Sequence, residues 1–253
     1  AQLLYRNILI SMASTPKNDL PVVDCLDMSC FPYFQIPLSI SQTFQFAYAL
    51  CCAEIGMKYQ HEVVKYIHNI ILSRNSIIDL SQLPASVFDV RKDSSTSLDP
   101  IFQALQVAEF TTGICLVKQK RPEILKSLAM SIQNGANFTV IHLEDCDVHL
   151  SMNYLSNAIL SSETFNLRYL NLNGNAGFKN FGDLFNLLRN LQTELLFLGL
   201  NGVLNTPEAT TELFDILTEN ENLHNLRVLQ ISQAAFNPRA VSSFEEFLDT
   251  VTP

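Results

Sequence analysis

The stretch LRYLNLNGN, Leu167–Asn175, has leucine at its first, fourth and sixth positions and asparagine at its ninth. Related nonapeptides follow the same pattern elsewhere, and the five copies begin at residues 111, 138, 167, 195 and 226. The steps between them are 27, 29, 28 and 31 residues. So even a period indicates a repeat architecture rather than a chance cluster of leucines.

Segments with helical periodicity separate the nonapeptides. Residues 121–135, RPEILKSLAMSIQNG, have a proline near the first turn and place apolar residues on one face. Comparable faces occur in residues 150–160, 181–191, 207–217 and 241–251. One strand and one helix per repeat predict an α/β fold, a leucine-rich-repeat solenoid of the ribonuclease-inhibitor-like kind with a parallel concave sheet. Stacking is needed because a single unit cannot bury its own apolar face.

The ninth position of each nonapeptide is expected to stabilise the turn that leaves the strand. Asn175 has a side chain that can satisfy unpaired backbone groups there, and Cys146 is an accepted substitute. Val203 and Ala234 occupy the same position in later copies and have no hydrogen-bonding side chain. We therefore expect those two turns to be satisfied by other groups.

The region before Thr111 departs from the repeat. A helix is predicted over residues 43–56, ending at Gly56, and the apolar positions of residues 63–72 suit an extended element. A strand is predicted in residues 77–84, followed by a polar loop in which Asp99 caps the helix of residues 101–110. This region is predicted to be an N-terminal α+β cap that covers the open hydrophobic end of the repeats.

Charge and cysteine usage exclude several classes of function. The net charge is −9, and residues 121–253 hold 7 basic and 15 acidic residues, which disfavours nucleic acid and anionic membranes as partners. A basic protein partner fits better, although an acidic surface also serves simple solubility. The six cysteines include no C-x-x-C pair, so we predict no metal site and expect reduced thiols in the cytoplasm. No phosphate-binding glycine loop or hydrolase motif occurs, and no cofactor is predicted.

The pattern F-x-x-x-Y-A-x-x-C-x-x-x-G-x-x-Y-x-x-E-V, running from Phe44 to Val63, resembles the CARMIL family. These proteins link actin capping protein, the Arp complex and myosin-I. The resemblance covers about residues 40 to 253 and includes the order of elements before the repeats. The tryptophan that often precedes the first repeat of that family is replaced here by Glu109-Phe110, which indicates a divergent member.

The resemblance implies a domain organisation. Residues 1–40 would be the C-terminal remnant of a membrane-binding, pleckstrin-homology-like domain with its following loop. Residues 41–109 would be the linker and cap, and residues 110–253 the first five or so repeats of a longer horseshoe, truncated at the C-terminus. The chain begins without methionine and stops at Pro253, so we expect a fragment.

The resemblance also implies a function. The chain would be a non-enzymatic scaffold in a regulator of actin filament capping and assembly, located in the cytoplasm at the cytoskeleton and the cell cortex, and connected with lamellipodia and cell migration. Its partners would be actin-regulatory proteins. Capping protein would bind through a tail absent here, membrane through the absent N-terminal domain, and the parent would be a homodimer. The alternative is a recognition module of another leucine-rich-repeat family, tropomodulin-like or GTPase-activating, but those families lack the pattern at residues 44–63.

Strand positions that point away from the predicted core would line the concave face. We expect neighbouring aromatic side chains at Tyr169 and Phe197 to anchor a partner, with mutual packing as the alternative. Acidic residues near Glu144 would attract a basic partner, or simply be solvated. The predicted partner-binding residues are His142, Glu144, Tyr169, Asn171, Asn173, Phe197, Asn201 and Gln230.

One predicted row of this face reads Cys115, His142 and Asn171, residue types found in thiol proteases. A catalytic trio also needs a base held between its partners and an oxyanion hole in a cleft. Because an open sheet supplies neither, we predict a polar ladder there and no catalytic residue.

Overall fold

The structure is a computed structural model that describes residues 39–83, 87 and 98–251. The predicted remnant of a preceding domain lies outside these residues up to position 38, as does the polar loop before Leu98. Four cysteines are described as free thiols, and Cys51, Cys52 and Cys146 are buried. Among the described helices, none combines the length and apolar character needed to cross a membrane.

Helices and strands alternate along the described chain. The strands are β1 (Ile77–Asp79), β2 (Gly113–Val117), β3 (Val140–Glu144), β4 (Tyr169–Asn171), β5 (Phe197–Gly199) and β6 (Val228–Gln230). The helices are α1 (Ile40–Glu54), α2 (His61–Leu72), α3 (Asp99–Ala108), α4 (Pro122–Gln133), α5 (Met152–Ser161), α6 (Gly182–Asn190), α7 (Pro207–Glu219) and α8 (Pro238–Val251). Short 3-10 turns occupy Leu80–Gln82, Val148–Leu150 and Glu221–Leu223.

The six strands form one sheet in sequence order, and every pair of neighbours is parallel. Parallel neighbours need a crossover, and a helix supplies it after each strand from β1 to β5. This confirms the predicted α/β fold with a parallel sheet. The strand β1 also pairs with β2, so the sheet extends one strand further than the five periodic nonapeptides.

The core lies between the sheet and the helices. The residues Ile114, Ile141, Leu170 and Leu198 sit opposite one another in register and are all buried. Each helix from α3 onward packs against the next, and α1 packs against α2 and α3. From β2 to β5, the apolar positions of the nonapeptides are therefore buried against helices, as their spacing predicts. In the last repeat the equivalent Leu229 is only half-buried.

The helices before β1 correct two predictions. Residues 63–72 were expected to be extended, but they belong to the helix α2, in which Val63 and Ile67 are buried one turn apart. Their spacing of four residues outweighs the β-branched composition that favours a strand. Asp99 was expected to cap α3, but it is the first helical residue and Leu98 occupies the cap position.

The end of α1 follows the sequence expectation. Gly56 has a φ of 65°, a left-handed conformation that glycine adopts at low cost. The following Met57 N–H donates to the Cys52 carbonyl at 2.7 Å, and this bond closes the helix. At the other end, Ser39 and Gln42 form reciprocal capping hydrogen bonds, so the helix begins three residues earlier than predicted.

Candidate functional site on the open sheet face

The open face of the sheet, opposite the buried core residues, carries side chains in rows that run across the strands. The strand register defines an apolar row and, two residues further along each strand, a polar row. The apolar row is Ile77, Gly113, Val140, Tyr169, Phe197 and Val228. The polar row is Asp79, Cys115, His142, Asn171, Gly199 and Gln230. The predicted row from Cys115 to Gln230 is thus confirmed, and β1 adds one residue to each row.

Two aromatic rings stack at the centre of the apolar row. The rings of Tyr169 and Phe197 lie 3.9 Å apart between centroids and nearly parallel, at 10°. The His142 ring is nearly parallel to Tyr169 as well, with centroids 6.4 Å apart. Both aromatic residues are half-buried, and Val228 beside them is 42% exposed. The predicted pairing of Tyr169 with Phe197 is confirmed, and their outer surfaces remain accessible.

The predicted contact residue Asn171 is not accessible, which corrects the expectation that it lines a binding surface. Its relative exposure is 4%, and its Oδ1 accepts the Asn173 N–H at 2.9 Å. A glycine at position 199 makes this packing possible, because a Cβ there would lie 2.7 Å from Asn171 Oδ1. The small residue on β5 therefore lets the buried amide on β4 lie across it.

The amides of Asn173 and Asn201 are engaged by the protein itself. Asn173 Oδ1 accepts the Asn201 N–H at 2.8 Å, and Asn201 Oδ1 accepts the Ser232 N–H at 2.7 Å. Asn173 Nδ2 also donates to Gln230 Oε1 at 2.8 Å. Each asparagine thus holds the end of the following strand, a role that the sequence prediction of partner contacts missed.

Asn175 stabilises the turn after β4, as its position in the nonapeptide predicts. Its relative exposure is 1%, and its Oδ1 accepts the Cys146 and Val148 N–H groups at 2.9 and 3.2 Å. Its Nδ2 donates to the Leu143 and Leu172 carbonyls at 2.8 and 2.7 Å. One buried amide therefore joins the turns of two successive repeats. We call Asn171, Asn173, Asn175 and Asn201 the asparagine network.

The side chains at the other ninth positions differ in whether they form a hydrogen bond in their turn. Cys146 Sγ lies 3.3 Å from the Leu116 carbonyl, a thiol counterpart of the amide contact made by Asn175. Val203 and Ala234 have no such contact. In the turn that contains Val203, a nearby side chain makes a hydrogen bond instead: Asn205 Nδ2 donates to the Phe178 carbonyl at 3.0 Å. The Ala235 N–H donates to Leu204 at 3.1 Å, so these turns use other groups, as expected.

Carboxylates lie on both strands that neighbour the strand of Cys115. Asp79 on β1 and Glu144 on β3 belong to the neighbouring strands, and burial together with these charges raises the pKa of the Cys115 thiol to about 11. The thiol is therefore protonated at neutral pH. Asp79 was not among the predicted site residues, because β1 precedes β2 by 36 residues and falls outside the regular period.

The Cys115, His142 and Asn171 trio lacks the geometry of a nucleophile and its base. His142 Nε2 contacts Glu144 Oε2 at 3.1 Å, and Asn171 Nδ2 lies 3.3 Å from His142 Nδ1. Burial and the nearby Asp79 carboxylate raise the pKa of the Cys115 thiol, which opposes its use as a nucleophile. Across the part of the chain that the structure describes, no group of His, Cys, Asp or Glu could hold a metal ion.

Acidic residues continue into the turn after β3. Asp145 forms an ion pair with Lys120 at 2.9 Å, between side chains that are 35% and 55% exposed. Glu144 is 45% exposed and carries the contact to His142. The acidic side chains of β3 and its turn are thus only partly neutralised.

Neither the scan of protein-family models nor the search of curated proteins finds a match to this chain.

Proposed function

We propose that the chain is a leucine-rich-repeat solenoid that acts as a non-enzymatic protein-interaction scaffold, of the CARMIL type that regulates actin filament capping and assembly. The observation that carries the scaffold proposal is the apolar row, with the stacked Tyr169 and Phe197 accessible at its centre. Half-buried aromatic side chains on a rigid sheet are typical anchors of protein interfaces.

The solenoid assignment is supported by the nonapeptides and their burial. Strands that begin 27 to 31 residues apart pair in order from β2 to β6, and their leucines meet the helices. The amide of Asn175 links consecutive turns, which is the role expected of the ninth residue in such repeats. On this proposal the open face is the concave face of a longer array.

A scaffold rather than an enzyme is supported by the chemistry of the polar row. The thiol of Cys115 is protonated, and the nearby imidazole is engaged by Glu144. Thiol catalysis needs a thiolate, which a raised pKa opposes. The polar row therefore fits a surface that displays side chains and does not carry out a reaction.

The connection to actin rests on the resemblance at residues 44–63. Its members Phe44, Tyr48, Cys52 and Val63 are core residues of the first two helices. Phe44 stacks on Tyr48 with centroids 5.8 Å apart, and Tyr59, between the two helices, packs against Tyr48 at 5.5 Å. We propose location in the cytoplasm at the cytoskeleton and cell cortex on the same basis. The pattern distinguishes this assignment from a tropomodulin-like or GTPase-activating module.

Surface plasmon resonance of the purified chain against actin, the Arp complex and a myosin-I tail tests the actin assignment. We expect at least one of them to bind, and the Tyr169→Ala/Phe197→Ala double variant to weaken that binding. The matched control is Tyr154→Ala, which removes an exposed aromatic ring from α5. Absence of binding to all three would contradict the actin assignment and leave the scaffold proposal to be judged on other proteins.

A further inference from the structure

The open face has two parts: polar side chains that form hydrogen bonds within the chain, and an apolar row that the described residues leave uncovered. The asparagine network and Gln230 use their polar atoms to hold the strand ends between β4 and β6. The apolar row has no covering element among the described residues, and Ile77 and Val228 at its two ends are 37% and 42% exposed. We therefore expect partner recognition at the apolar row and at the charged side chains near β1–β3, although Asp79 also accepts hydrogen bonds from Ser81 and Gln82.

The charge near β1–β3 has one sign. We call Asp79 and Glu144 the carboxylate pair; they lie on the strands either side of Cys115, and both raise the pKa of its thiol. The open-face positions of the six described strands include no lysine and no arginine. In the turn after β2, Lys120 is engaged by Asp145, and the exposed Lys118 forms no ion pair with either carboxylate. A partner's cation can therefore supply a permanent positive charge that the carboxylate pair does not have among the described residues.

We infer that the open face binds an extended segment of a partner protein that carries a lysine or arginine near an apolar or aromatic side chain. The cationic group would meet the carboxylate pair, and the apolar side chain would pack on Tyr169 and Phe197. The segment would run diagonally across the strands, from the carboxylate pair to the apolar row. This inference rests on the proposed scaffold function and specifies the class of partner.

The spacing of the strands fixes the spacing within the partner segment. Neighbouring strands lie about 4.8 Å apart, so the carboxylate pair, centred on β2, lies about 12 Å across the strands from the ring stack between β4 and β5. Asp79 and Glu144 also lie two and four residues further along their strands than the apolar row, an average offset of about 10 Å, so the two groups are about 16 Å apart. An extended chain advances about 3.3 Å per residue, so the basic and apolar residues would be about five positions apart.

The negative charge of the carboxylate pair disfavours other classes of partner. A phosphate backbone or an acidic peptide would place like charges beside Asp79 and Glu144, which opposes association. A wholly apolar segment would cover the exposed half of Glu144 without an ion pair, and a buried unpaired carboxylate is costly. A segment with one cationic and one apolar group satisfies both parts of the face.

Phage display of random dodecapeptides on the immobilised full chain tests the inference, with fluorescence anisotropy of the enriched peptides as the quantitative readout. We expect enrichment of peptides with a lysine or arginine about five positions from an apolar residue. The variants Asp79→Asn/Glu144→Gln and Tyr169→Ala/Phe197→Ala should each weaken binding by about tenfold or more. Both carboxylate changes keep an oxygen acceptor, and for Asp79 this preserves the cap of its 3-10 turn.

The matched controls lie on the helices. Tyr154→Ala removes an exposed ring from α5, and Glu245→Gln/Glu246→Gln removes two exposed carboxylates from α8. These variants should change affinity by less than about twofold. Thermal melting of every variant checks that each remains folded.

The outcomes separate this inference from the proposed function. No enrichment, or enrichment of acidic or purely apolar peptides, would overturn the inference. If the aromatic variant weakens binding and the carboxylate variant does not, the cationic partner class is wrong while the docking face stands. If neither variant weakens binding, the open face is not the docking surface and the proposed function loses its supporting observation.

Discussion

The apolar row crosses β4 and β5, the asparagine network lies at the ends of these strands and in the turns that follow, and the two have opposite characters. The rings of Tyr169 and Phe197 contact each other and leave their outer surfaces open, whereas Asn171 and Asn175 are buried and hydrogen-bonded on both ends of their amides. Polar residues on a sheet face often suggest a binding site, but here the polar residues hold the strands. On β4 and β5, the apolar residues are the ones left for a partner.

Replacing Asn175 with alanine should have the largest effect and should act on stability alone. The change removes the side-chain partner of two N–H groups and two carbonyls in buried turns, at a cost of about 3 kcal/mol in the free energy of unfolding. Urea denaturation followed by circular dichroism measures it. The control Asn225→Ala removes an exposed amide that contacts only Glu194, and it should cost less than about 0.5 kcal/mol. Equal costs for the two variants would contradict a structural role for the network.

Replacing Gly199 with alanine should have an intermediate effect at the boundary between the two regions. The new methyl group would meet Asn171 Oδ1 at 2.7 Å and Asn173 Oδ1 at 3.0 Å, so both amides must shift, at a cost of about 1–2 kcal/mol in unfolding free energy. Gly182→Ala is the control, because its methyl group would meet only the exposed Asn180 side chain at 3.1 Å. Unfolding midpoints of the two variants that coincide would show that Gly199 has no packing role.

The smallest effect concerns the thiol beside the carboxylate pair. Because nearby carboxylates raise the pKa of Cys115, Glu144→Gln should lower that pKa and increase the thiolate fraction at mildly alkaline pH. Iodoacetamide labelling of Cys115, followed by peptide mass spectrometry, should become about two- to fivefold faster. The control Glu246→Gln lies on α8 and should leave the labelling rate unchanged. A slower or unchanged rate for Glu144→Gln would place the carboxylate too far away to act on the thiol.

The sequence predicted the periodic part of the fold because apolar spacing and turn chemistry are local signals. The row from Cys115 to Gln230, the partnership of Tyr169 with Phe197 and the role of Asn175 all follow from the nonapeptide pattern. The pattern was less informative where spacing changes: β1 was not aligned with the repeats, so Asp79 was missed. The helix α2 was misread because its β-branched residues favour a strand.

The roles of the asparagines could not be predicted from the sequence. Alternation along a strand shows which face of the sheet a side chain points to, but it does not show how deeply that side chain is buried. Asn171 and Tyr169 point to the same face, yet the first is buried and the second is half-buried. The difference comes from Gly199 on the neighbouring strand, whose missing side chain leaves room for the amide. Such cross-strand packing becomes visible only when the register is known. The boundary predicted at residues 109–110 stays a prediction.

The most direct test of the account measures binding and stability together for Tyr169→Ala/Phe197→Ala, with a dodecapeptide selected on the wild-type chain. We predict a dissociation constant about thirtyfold higher, near 2 kcal/mol of binding free energy, with the free energy of unfolding lowered much less than by Asn175→Ala. An unchanged dissociation constant, or a loss of stability as large as that of Asn175→Ala, would contradict the division of this face into a docking row and a structural network.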